Sequence, residues 1–186
     1  QGSCTKVQWA NGIGNALIKT VDVEIGGQQI DKHYGEWLDI WGELNVDKNH
    51  RDSYDEMVGH SADATVDNAD FIRTLYVPLR FWFNRNPGLA LPLIALQYHE
   101  VKINLELENA NKLVRSVGDD LDGDTILMGA DGAGTTASIT SCNLYVDYIY
   151  LDTDERRRFA QVSHEYLIEQ VQHTGVESLE SGSGNE

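Results

Sequence analysis

Cysteine is scarce in this 186-residue chain. Cys4 and Cys142 are the only two, and they form no CxxC spacing, so neither a disulfide framework nor a zinc site is supported. No Asn-x-Ser/Thr sequon occurs either, and together these gaps lean toward a reducing, intracellular origin. Basic residues are outnumbered, 14 against 30 acidic, for a formal charge of −16. Such a surface repels phosphate backbones, so no direct nucleic-acid binding is expected. The imbalance is uneven: residues 1–117 hold 11 basic and 16 acidic side chains, residues 118–186 hold 3 and 14. Acid-rich stretches of this kind read first as a solvated surface. Long apolar runs are missing as well. The longest uncharged one covers residues 89–96, far below the roughly 20 residues that span a bilayer, so no transmembrane segment is expected.

Motifs that carry chemistry are also lacking. His99-Glu100 and His164-Glu165 open like a zinc-protease helix, but Ile103 and Ile168 stand where the second histidine belongs. The six histidines never form an HxH pair, and no GxSxG, GxxxxGK or GxGxxG occurs. Asp120, Asp122 and Asp124 resemble the start of a calcium loop, yet glycine falls at the fourth place instead of the sixth and Asp131 replaces the terminal glutamate. No catalytic residue, metal or cofactor is assigned, and the chain is read as not an enzyme.

What is present is pattern. All three prolines, Pro78, Pro87 and Pro92, fall within residues 76–108, beside the most apolar part of the chain. Proline fixes φ and cannot donate to a ladder, so this block reads as a strand, a shaped corner and a second strand. In the second strand Val101, Ile103, Leu105 and Leu107 alternate with polar residues, which predicts an antiparallel strand with one face in a core. Residues 18–25 alternate too, and Gly26-Gly27 predicts a two-residue hairpin turn that sets Val23 opposite Ile30 and Ile25 opposite Gln28. Tyr34, Trp37, Leu38, Trp41 and Leu44 then repeat at helical spacing, with Trp37 and Trp41 as a packing ridge. Residues 47–70 and 109–138 read as long polar loops, the second around a brief segment at 125–128.

Residues 144–151, LYVDYIYL, read as a central strand with both faces apolar. Asp152 and Glu155 predict a capping box that opens a short helix carrying Arg156, Arg157 and Arg158. The three guanidiniums could bind phosphate, but the neighbouring Asp152 and Asp154 favour local pairing or an inter-subunit contact. For residues 164–172 periodicity does not decide between helix and strand.

Three of these stretches resemble a known family. IGGQQIDKHYGEWLDIW from 25, FWFNRNPGLALPLIALQYHEVKI from 81 and YVDYIYLDTDERRRFAQVSHEYLIEQVQ from 145 are similar to the major capsid proteins of nucleocytoplasmic large DNA viruses, of the algal-virus and iridovirus type. The resemblance runs collinearly from about Trp9 to Thr174. It implies an all-β fold, the first half of a double jelly roll with short helices in the connections, whose chains trimerise into pseudo-hexagonal capsomers of an icosahedral shell.

On that reading residues 1–174 form an N-terminal jelly-roll domain that lacks its opening strand and ends in a connector. Residues 175–186, Gly/Ser/acid-rich, are a truncated linker toward a second jelly roll, and Gln1 is an artificial start. Gly26, Gly27, Trp37, Trp41, Trp82, Asn84, Pro87 and Pro92 are expected to define the fold, and Arg156, Arg157 and Arg158 to serve assembly. Implied partners are further copies of the chain, with minor capsid and vertex proteins, in a virion assembled in the host cytoplasm. The alternative is a carbohydrate-binding jelly roll with Trp82 or Trp9 stacked on a sugar.

Overall fold

A computed structural model describes residues 4–60, 65–66, 74–118, 126–128 and 138–175. Strands β2 (Ile18–Ile25) and β3 (Gln28–Tyr34) are the two alternating runs on either side of Gly26-Gly27. The glycines have φ of 61° and 82°, left-handed backbone that costs a residue without Cβ nothing. β5 (Val101–Leu107) pairs antiparallel with the other edge of β2, which gives the order β3-β2-β5. Ile25 lies opposite Gln28 as expected. Val23, however, lies opposite Asp31, because a bulge between Val23 and Glu24 leaves Ile30 as an extra residue on β3. A hairpin turn sets register only up to the first bulge, and nothing in the alternation announced one.

The second sheet has the order β4-β1-β6-β7, all antiparallel, from β1 (Cys4–Trp9), β4 (Thr65–Val66), β6 (Val114–Gly118) and β7 (Ile126–Met128). Three of these strands, β4, β6 and β7, fall in stretches read from sequence as loops. So does helix α3 (Lys48–Val58). Its apolar stripe is only Tyr54 and Val58, one turn apart and both buried, too little for periodicity to register. An Arg51–Asp55 pair at i,i+4 and a left-handed end at Gly59 complete it.

The helix expected after β3 is α2 (Gly35–Asn45). It turns Leu38 and Gly42 fully inward, with Trp37 and Trp41 half-buried beside them. Gly42 admits α3: a Cβ there would lie 2.7 Å from the Tyr54 hydroxyl. α1 (Ile13–Leu17) closes the junction between the first sheet and β2.

The core gathers Ile18, Val21, Val23, Leu38, Phe81 and Trp82, lined by Val77, Leu79, Phe83, Leu89, Leu91, Val101 and Ile103. The proline block thus covers the sheet, but not as foreseen. Residues 74–80 join no ladder; Pro78 has no N–H to give, and the Tyr76 amide goes to the Met57 carbonyl. The corner is α4 (Trp82–Arg85), then a 3-10 turn at Pro87–Leu89 whose start is capped by the Asn86 side chain accepting from the Gly88 amide. Pairing is antiparallel throughout, yet α2, α3 and α5 (Thr153–Gln161), of 11, 11 and 9 residues, are more than short connections.

Candidate assembly surface

Past β7 the chain changes character. Residues 141–150 are neither helix nor strand and join no ladder among the described residues. The expected central strand is therefore an uncovered run. Ile139, Leu144, Tyr145, Val146, Tyr148, Ile149 and Tyr150 are all exposed, Tyr150 by 92%. Apolar pattern on both faces says that both want cover; it does not say what supplies it. β5 points the same way, since Val101 and Ile103 pack on the core while Leu105 and Leu107 at its far end are exposed.

The segment leads directly into α5, whose start is fixed as the sequence predicted. Asp152 Oδ1 accepts from the Glu155 amide at 2.8 Å and Glu155 Oε2 accepts from the Asp152 amide at 3.2 Å, a complete capping box. Arg156, Arg157 and Arg158 are exposed on this helix. Arg157 makes a 3.5 Å contact with Asp154 one turn back, a weak pairing that leaves its fork open to another chain. After α5, residues 163–175 are neither helix nor strand. This strap returns to the sheet, with Ile168 against the core and Arg85 paired to Glu169.

The other sequence-predicted positions lie around the sheet rather than in one cleft. Gly26 packs against His99 at the end of the proline corner, its amide donating to the Glu100 carbonyl at 2.9 Å. Trp41 carries the Arg80 guanidinium at 4.1 Å from its ring centre; burial pushes that guanidinium's pKa down, against a smaller opposing pull from Tyr54. Trp82 is 6% exposed and edge-on to Phe83, so it is core and offers no platform to a sugar. Trp9 is half-buried. Asn84 and Pro87 are exposed at the corner, and Pro92 is half-buried and opens the turn that follows.

Several surface charges are locally paired. Arg51 donates to Glu43 and Asp55, which ties α2 to α3, raises its own pKa and lowers that of Glu43. Lys19 lies 2.5 Å from Glu106, raising the lysine and lowering the carboxylate. Among the described residues no three His, Cys, Asp or Glu side chains are placed to hold a metal. No helix there is long and apolar enough to cross a membrane. Asp120, Asp122 and Asp124 lie outside the described residues.

Sequence reading missed one buried feature, Asp31 and His33, which lie on the core face of β3 with their carboxylate and imidazole 3.0 Å apart. The signal was available: they sit two apart in an alternating strand, so both fall on the same face.

Residues 1–152 match the family model described as "Major capsid protein N-terminus". The chain is 59% identical over 177 residues to the major capsid protein of Pyramimonas orientalis virus, which covers 94% of this chain and 39% of that one. It is 45% identical over 162 residues to the major capsid protein of Paramecium bursaria Chlorella virus 1, covering 87% and 34% respectively. Among solved structures, a quasi-atomic capsid of PBCV-1 aligns with a TM-score of 0.65 and 41% identity over 90% of this chain and 38% of that chain. The chain therefore spans little more than a third of the length of these relatives.

Proposed function

The chain belongs to the family of viral major capsid proteins, in the part that forms their N-terminus, and we propose that it builds the shell of a large DNA virus as the first of two tandem jelly rolls. Residues 1–174 are then the jelly roll and its connector, and residues 175–186 the linker to a second one. Three full-length chains form a pseudo-hexagonal capsomer, and capsomers tile an icosahedral shell with minor capsid and vertex proteins, assembled in the host cytoplasm. The work is structural, and no catalytic group is assigned.

The observation that carries this reading is the bare run at residues 139–150. Seven large apolar or aromatic side chains stand exposed on it, against a chain carrying a net charge of −16. Isolated proteins rarely expose contiguous apolar area on that scale, whereas subunits of an assembly bury it against one another. Arg156, Arg157 and Arg158, immediately after it in the chain, supply forked donors at the rim.

Light scattering on the full-length protein tests the proposal. A trimer under native conditions is expected, and a monomer would count against it. Arg157→Glu should reduce trimer formation while leaving the melting temperature of the subunit nearly unchanged. Equal losses in both would assign Arg157 to folding instead.

A further inference from the structure

Helix α2 has two faces. Leu38 and Gly42 are turned into the body of the protein, whereas Trp37, Ile40, Trp41 and Leu44, three and four positions apart, form an apolar row on its outer side. The tryptophans are half-buried, with Arg80 stacked on the Trp41 ring, but Ile40 is 50% and Leu44 77% exposed. Glu36, Asp39 and Glu43 make the neighbouring row and are exposed. Arg51 engages Glu43. Glu36 and Asp39 enter no ion pair among the described residues. An apolar row edged by unpaired carboxylates suits a partner that is itself apolar and basic.

Residues 139–161 have that chemistry. The bare run exposes its large side chains, and α5, which continues it, is exposed along its length apart from the half-buried Phe159. Phe159 lies on its near neighbour His164, with ring centres 4.8 Å apart. Arg156, Arg157 and Arg158 are the only basic residues between positions 118 and 186. Among the described residues, the 3.5 Å contact of Arg157 with Asp154 is the one ion pair they make. Tyr145 approaches Tyr76, ring centres 6.4 Å apart, and Ile168 rejoins the core. Between these two points the chain is an arm with little cover of its own.

We propose that the arm of one subunit docks on α2 of the next, so that the bare run covers Ile40 and Leu44 and the arginines meet Glu36 and Asp39. The proposal rests on the capsid-subunit reading and names the partner of its assembly surface, a second copy of this chain. Two arms laid against each other would set arginine against arginine, which is repulsive; an arm on α2 sets each charge against its opposite. Because the two surfaces differ, the contact is heterologous, and such contacts close into rings. Each chain brings one arm and one α2, so a ring of three leaves neither uncovered.

Light scattering on the full-length protein tests the contact, with the subunit melting temperature as the control for folding. Ile40→Ser combined with Leu44→Ser should weaken the trimer about tenfold or more and leave the melting temperature nearly unchanged. Glu36→Lys with Asp39→Lys should weaken it similarly, and adding Arg157→Glu and Arg158→Glu to the same chain should restore it. In an Arg157→Lys trimer mixed from light and heavy isotope-labelled chains, carbodiimide coupling should join position 157 to Glu36 or Asp39 of a different chain. This last experiment leaves α2 intact and stands by itself should the α2 variants fail to fold. A wild-type trimer that keeps its mass through both α2 variants, or coupling confined to single chains, overturns the docking while the capsid reading stands. A wild-type protein that stays monomeric overturns both.

Discussion

The sheet β3-β2-β5 and the run from residue 139 to 150 are built from the same kind of sequence and end in opposite states. Both contain alternating or continuous apolar residues. In the first, Val21 and Val23 are 1% and 0% exposed, because α2 and the proline block lie over them. In the second, Tyr145 and Tyr150 are 80% and 92% exposed. The difference is cover, not pattern. A strand's periodicity states a demand for burial, and only the rest of the molecule or a neighbouring molecule can meet it.

Four measurements would break or sharpen that contrast. The largest effect belongs to Phe81, which is fully buried and stacked between His33 and Phe83. Phe81→Ala should cost about 3–5 kcal/mol of subunit stability by denaturant unfolding. A loss near zero would mean that the proline block is not the lid of the sheet. Next comes the cap of α5: Asp152→Ala removes the acceptor for the Glu155 amide and should cost about 1 kcal/mol, visible as reduced helicity of that segment.

Ile149, 57% exposed, should behave in the reverse manner to Phe81. Ile149→Ser is expected to change subunit stability by no more than about 0.5 kcal/mol while lowering the yield of trimer. Should it destabilise the isolated subunit as strongly as a core substitution, the bare run is covered in solution and the contrast fails.

The smallest effect is electrostatic and lies on the covered sheet's outer face. Lys19 holds the Glu106 carboxyl below its ordinary value of 4.5, first by hydrogen bonding and then by charge. A carboxyl depressed in the folded state supports folding above that ordinary value, and the support is lost as pH falls through the lower, folded one. The acid limb of the melting-temperature curve should therefore be slightly shallower in Glu106→Gln, and flatter again in high salt for both proteins. Coincident curves would remove the pair from the account.

Much of the sheet was legible in the chain. Period-two alternation located β2, β3 and β5, the glycine pair located their turn, and Asp152 with Glu155 located the start of α5. These signals are local, and local chemistry decides them. α3 was not legible, since two buried residues in 11 do not make a period and its pairing with α2 runs through Arg51 to Glu43, eight positions away. The bare run was read as a covered strand for the same reason in reverse: its apolar residues were visible and their missing neighbours were not. As for the candidate surface, Arg156, Arg157 and Arg158 were singled out from sequence, whereas the larger part of it, within residues 144–151, was taken for interior.

The bulge opposite Val23 has a consequence beyond register. Up to Glu24 the hairpin pairs as a regular turn would dictate; continued without the bulge, with Ile30 in the ladder opposite Val23, it would set Val21 across from Lys32 and Asp22 across from Asp31. With it, Val21 and Val23 face His33 and Asp31, and Asp22 faces Lys32. One surplus residue thus acts as a spatial frameshift that decides which ions go inside. A strand with the same residues but no bulge at this point would keep its composition and its net charge, yet it would turn a lysine toward the valines and hand the aspartate and histidine to water.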